Sequence, residues 1–104
     1  MNKVRHFRSL LDINKNEFIK LIERSIELKE ESRKNISNNS LQNKTMAMIF
    51  KKNSTRTRVA FETAMVTMGG HAIFLSSDTT QITRGEDLAD TAKVLSGMVD
   101  IIMI

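Results

Sequence analysis

The sequence predicts an α/β chain, an N-terminal helix followed by a β-α-β-α-β run of a parallel sheet. Three observations predict it. "NKNEFIKLIERSIELKEE" (14–31) carries apolar residues at helical spacing. Three short continuous apolar runs follow, "TMAMIF" (45–50), "HAIFL" (71–75) and "DIIMI" (100–104). Segments of helical period lie between them, and strands alternating with helices signal a parallel sheet with right-handed crossovers.

Each element has a local reason. In the first helix Asn14 can cap, with Glu17 three residues on completing a capping box. Phe18, Ile19, Ile22 and Ile26 form the apolar stripe, and Lys29, Arg33 and Lys34 suit the negative C-terminal end. A polar connector, "NISNNSLQNK" (35–44), has nothing in it to fold alone. "TMAMIF" is apolar without alternation, as a strand buried on both faces is. Ser54 is a good N-cap for a second helix, whose Phe61, Ala64, Met65 and Met68 fall at i, i+3, i+4 and i+7. "GG" (69–70) stops it. A polar loop, "SSDTTQITRG" (76–85), leads to a third helix from about Glu86, with Leu88, Ala92, Leu95 and Val99 inward. The chain ends inside an apolar strand, which predicts a fragment of a longer protein.

Composition narrows the function. A chain of 104 residues has room for one domain, and 40% hydrophobic with 27% charged residues is ordinary for a globular protein. A net charge of +4 makes an anionic ligand plausible, although a solvated basic face is the commoner explanation. With no cysteine, disulfides and thiolate metal sites are excluded. No apolar window approaches a membrane span, and "MNKVRHFRSLLD" has no signal-peptide core, so a cytoplasmic location is expected and the N-x-S/T matches at Asn35, Asn38, Asn43 and Asn53 are read as chance.

The most informative stretch is "KKNSTRTRVAFE" (51–62). It sits between the first strand and its helix, at the carboxyl edge of the sheet where open α/β folds bind ligands. The first N–H groups of a helix are unpaired and carry partial positive charge. Ser54, Thr55 and Thr57 add hydroxyls, and Arg56 adds a fork that can grip a phosphate in bidentate fashion. Arg58 lies about 200° around the helix from Arg56, so a structural role is open to it, such as pairing with Glu62 at i+4. The bland alternative is a solvated basic helix start. No Walker-type or G-x-G-x-x-G glycine pattern occurs, so neither nucleotide fingerprint is present.

"IFKKNSTRTRVAFETA", "GGHAIFLS" and "QITRGEDLADTAKVLSGMVD" together resemble the aspartate/ornithine carbamoyltransferase family, over about residue 5 to the end, and within it the ornithine branch. The resemblance implies an incomplete carbamoyl-phosphate-binding domain, with a helical arm (1–34), a connector (35–44) and the β-α-β-α-β unit (45–104). It implies that Ser54, Thr55, Arg56 and Thr57 hold the phosphate of carbamoyl phosphate, with Arg56 also catalytic near the carbonyl oxygen. Gln81 matches a glutamine supplied from the neighbouring subunit of a homotrimer. The implied reaction is attack by the δ-amine of ornithine on the carbamoyl carbon, giving citrulline and phosphate in arginine biosynthesis. No cofactor, metal, nucleic acid or membrane is implied as a partner. Aspartate carbamoyltransferases usually carry lysine before G-E and a D-T-I run. Here Arg84 precedes Gly85–Glu86, and the run is D-T-A (90–92). Aspartate or another amine acceptor, a non-catalytic remnant and an anion-binding module that contacts nucleic acid backbone are the alternatives.

Two departures stand out. Lys51 occupies a position where many members have an acid or a neutral residue. The arginine expected after the last strand, an H-P-x-Q segment and the amino-acid-binding domain are absent from these 104 residues. His6 and His71 have no partner at ligand spacing, and the seven methionines read as core filler. Asp87 and Asp90 read as ordinary helix N-terminal acids, and Glu86 as a residue that fixes loop or interface geometry.

Overall fold

The computed structural model describes residues 4–50, 54–76 and 88–104, with Leu88 described by its backbone alone. In chain order these form a 3-10 turn (Leu10–Asp12), α1 (Lys15–Arg33), β1 (Thr45–Phe50), α2 (Thr55–Thr67), β2 (His71–Ser76), α3 (Leu88–Ser96) and β3 (Ile101–Met103). Two compact units result, Met1–Ser37 and Asn38–Ile104.

In the first unit, Asn14 caps α1 as its sequence context predicts. Its side chain accepts from the Glu17 N–H at 2.8 Å, and Glu17 Oε1 accepts from the Asn14 N–H at 3.1 Å. Arg5 Nη1 donates to Glu17 Oε2 at 2.6 Å, and these bonds hold the Glu17 carboxyl below its ordinary range, the Arg5 bond contributing most. The 3-10 turn was not anticipated. Its Asp12 carboxylate accepts from the Arg8 and Ser9 backbone N–H groups at 2.6 and 3.2 Å, closing a second capping box. The apolar stripe of α1 lies uncovered, since no α1 residue is buried and Ile26 remains 64% exposed. Outside α1, Val4, Phe7, Leu10, Leu11 and Ile36 of this unit are exposed as well.

The second unit is a three-stranded sheet of order β2-β1-β3, parallel throughout. Thr45 to Phe50 align with His71 to Ser76, and Met46 to Met48 with Ile101 to Met103. Its central position explains why β1 reads as unbroken apolar sequence: Met46, Ala47, Met48 and Ile49 are all buried. Met46, Met48 and Met65 form the core, with Leu41, Phe50, Ala72, Phe74 and Met103 packed against it. Burying one such methionine is worth about 1.5–3 kcal/mol.

α2 has the predicted span but a different inward face. Phe61 and Ala64 are exposed, and the half-buried or buried positions are Arg58, Glu62, Met65 and Met68. A helix that starts at the sheet's polar edge presents a charged pair there and its apolar residues one turn later. Its end is the one "GG" predicts. Gly69 adopts φ +89°, Gly70 N–H bonds Met65 O at 2.7 Å, and Gly69 N–H bonds Val66 O at 3.1 Å, a Schellman arrangement.

The connector is less idle than its composition suggests. Leu41 N–H donates to Met68 O, and Lys44 O accepts from His71 N–H, each at 2.9 Å, so this segment is laced to the glycine corner. β3 is shorter than predicted by one residue at each end, and Asp100 just before it clamps onto Thr45. Its carboxylate accepts from Thr45 N–H at 2.9 Å, and its own N–H bonds Thr45 O at 2.9 Å. The predicted start of the third helix at Glu86 lies outside the described residues; the described part of α3 begins at Leu88, with Ala92, Leu95 and Val99 half-buried.

Candidate functional site at the carboxyl edge of the central strand

β1 ends at Phe50 and α2 begins at Thr55, so the S-T-R-T-R run stands at the carboxyl edge of the central strand, as expected. Ser54 is the N-cap residue, but the capping role anticipated for its side chain is not taken: at φ −116°, ψ 65° its hydroxyl makes no capping bond. A residue outside the usual extended cap geometry does not aim its oxygen at the second or third N–H of the helix. The N–H groups of Thr55, Arg56 and Thr57 occupy the first three helical positions, which have no intrahelical acceptor. The first turn holds no acidic residue to compensate the positive end of the helix. Thr55, Arg56 and Thr57 are exposed. Among the described residues Arg56 makes no salt bridge. The arrangement is a cationic, donor-rich turn open to an anion.

Arg58 behaves differently. Its guanidinium carbon stands 3.8 Å from the centroid of the Phe74 ring, and its Nε lies 3.7 Å from Glu62 Oε2. The structural pairing with Glu62 is therefore present. The aromatic partner was missed, because Phe74 lies on a different element, β2, and the sequence reads it only as part of an apolar strand. A cavity of about 250 Å3 opens here, lined by Ser54, Thr55, Arg58, Val59, Glu62 and Phe74. Arg56 and Thr57 do not line it.

A larger depression of about 480 Å3 lies in the first unit, lined by residues that include Arg5, His6, Phe7, Glu17 and Lys20. Two of its charges, Arg5 and Glu17, already satisfy each other. Among the described residues there is no cluster of three metal-ligating side chains, and no helix is long and apolar enough to cross a membrane. In the D-T-A run, the Thr91 hydroxyl is buried with no partner among the described residues. Gln81, Lys51, Arg84, Gly85, Glu86 and Asp87 lie outside the described residues.

A family profile described as "Aspartate/ornithine carbamoyltransferase, carbamoyl-P binding domain" matches residues 5–104. The chain belongs to this family. An ornithine carbamoyltransferase of Campylobacter jejuni subsp. doylei is 50% identical over 101 residues, a match covering 97% of this chain and 31% of that protein. The crystal structure of ornithine carbamoyltransferase from Burkholderia thailandensis superposes with a TM-score of 0.90 at 42% identity, covering 97% of this chain and 35% of the other. The catalytic subunit of M. jannaschii aspartate transcarbamoylase gives 0.85 at 35% identity, covering 95% and 33%. The chain thus spans about a third of the length of the relatives it matches. The α/β architecture with its parallel sheet is that of the carbamoyltransferase N-terminal domain.

Proposed function

We propose that this chain supplies the carbamoyl phosphate site of an ornithine carbamoyltransferase. The observation that carries the reading is the open helix start: Ser-Thr-Arg-Thr on three unpaired N–H groups, with no acid in the turn, at the carboxyl edge of the central strand. In a member of this family the anion is carbamoyl phosphate. The N–H groups and the hydroxyls of Ser54, Thr55 and Thr57 receive the phosphate oxygens, and the Arg56 fork spans phosphate and carbonyl oxygen. The uncharged δ-amine of ornithine attacks the carbamoyl carbon. The C–O bond to phosphate breaks, the amine loses a proton, and citrulline and phosphate leave. Arg56 and Thr57 stabilise the charge that develops on the carbonyl oxygen and the leaving phosphate, fixed before the reaction begins. Gln81 completes the site from a neighbouring subunit of a trimer.

Ornithine is favoured over aspartate as acceptor by Arg84 before Gly85–Glu86, by the D-T-A run and by the 50% identity to an ornithine enzyme. The test is calorimetric titration of the complete protein with carbamoyl phosphate, followed by turnover with ornithine, aspartate and putrescine in turn. Arg56→Ala should weaken carbamoyl phosphate binding by about 1.5–3 kcal/mol, the worth of a charged hydrogen-bonding group, while leaving the fold intact because the side chain is exposed. Unchanged affinity overturns the site. Turnover confined to aspartate overturns the acceptor.

A further inference from the structure

We propose that Arg58 is a positioning residue, which sets the orientation of the anion-binding turn without touching the anion; this rests on reading Ser54–Thr57 as the phosphate site. Its backbone N–H donates to Ser54 O at 2.8 Å, the bond that closes the first turn of α2. Its position is about 200° around the helix from that of Arg56, and its side chain lies on Phe74. Phe74 in turn packs on Phe50, ring centroids 5.8 Å apart and tilted by 30°. Phe50 is the last residue of β1, and Phe74 pairs in register with Met48. A stack therefore runs from the end of β1 and the middle of β2 through two rings to the guanidinium, and by the guanidinium to the turn.

α2 has a single buried residue, Met65, nine positions beyond Arg56. At 1.5 Å rise per residue that pivot is about 13 Å from Arg56, so a tilt of about 5° displaces the turn by about 1 Å. A displacement of that size spoils hydrogen-bond alignment at a phosphate. The Arg58–Glu62 pair cannot prevent it, because both residues belong to α2 and tilt together. The ring contact is the firmer hold, and it acts at the end of the helix that Met65 does not reach.

The experiment uses the complete protein, with carbamoyl phosphate as titrant and thermal melts run beside each titration. Arg58→Met keeps the stem and removes the cation. Phe74→Leu keeps an apolar side chain and removes the ring face. Each should weaken binding about three- to tenfold at temperatures where both proteins are folded, the size expected for losing one cation–ring hold on a binding turn. The double variant should be no weaker than the worse single one, because both remove the same contact. Arg58→Lys, which can still lay a cation on the ring, should recover most of the affinity. If Arg58→Met weakens binding and Phe74→Leu does not, Arg58 touches the anion directly and the proposal is overturned. If both lower only the melting temperature, Arg58 is merely structural and the proposal is overturned. Arg56→Ala is the control. Its failure to weaken binding means that the phosphate site itself is misplaced, and the proposal falls with it.

Discussion

Gly70 has no room for even a single methyl group. A Cβ there would sit 2.8 Å from Met65 Cε, 2.9 Å from Leu41 O and 3.0 Å from Lys44 O. The methionine end could swing away in an open site, but Met65 is 3% exposed and shares the core with Met46 and Met48. The two carbonyls cannot move freely, since Lys44 O accepts from His71 N–H, which starts β2, and Leu41 O accepts from Lys44 N–H. Relief would come by drawing Gly70 off the helix end, at the expense of its 2.7 Å bond to Met65 O. Overpacking costs about 1–3 kcal/mol and a weakened hydrogen bond about 1 kcal/mol. The lower entropy of an unfolded alanine chain returns about 0.4–1 kcal/mol. Gly70→Ala should therefore destabilise by about 2–3 kcal/mol, a fall of about 10–20 °C in Tm for a domain of this size. Thermal and urea melts followed by circular dichroism read it directly. A Tm within about 2 °C of the parent would show that the corner yields and that the contact argument is wrong. Gly69, at φ +89°, fails for another reason, backbone strain, so Gly69→Asn should be milder than Gly69→Ala.

The remaining predictions concern the helix start and the shared site. Glu17 is held by Arg5 and the Asn14 N–H with its carboxyl below the ordinary value of 4.5. A lowered folded value means its contribution is present above about pH 4.5 and is lost as pH falls through the folded value. Glu17→Gln should therefore cost helicity at neutral pH and little at pH about 2. Equal losses at both pH values, by circular dichroism, would refute the charged cap. For the shared site, complete subunits carrying Arg56→Ala and Gln81→Ala, each inactive alone, should regain roughly a quarter of their sites when unfolded and refolded together at 1:1. Mixtures as inactive as either parent would place Gln81 within its own subunit or outside the site.

The sequence by itself determined the order of elements, the central burial of β1, the capping of α1, the stop at Gly69–Gly70 and the place of the S-T-R-T-R turn. Each of these is a local pattern, readable from spacing along a few consecutive residues. The rotation of α2 was decided only by tertiary structure. Periodicity put Phe61 and Ala64 inward, yet Arg58 and Glu62 take those places, because the helix begins over Phe74 and a guanidinium stacked on a ring is well satisfied there. The lacing of the connector to the glycine corner and the clamp of the Asp100 carboxylate on Thr45 are of the same kind. These contacts join residues 16, 27 and 55 positions apart, and the chain's own periodicity carries no record of which distant partner the sheet register will bring alongside.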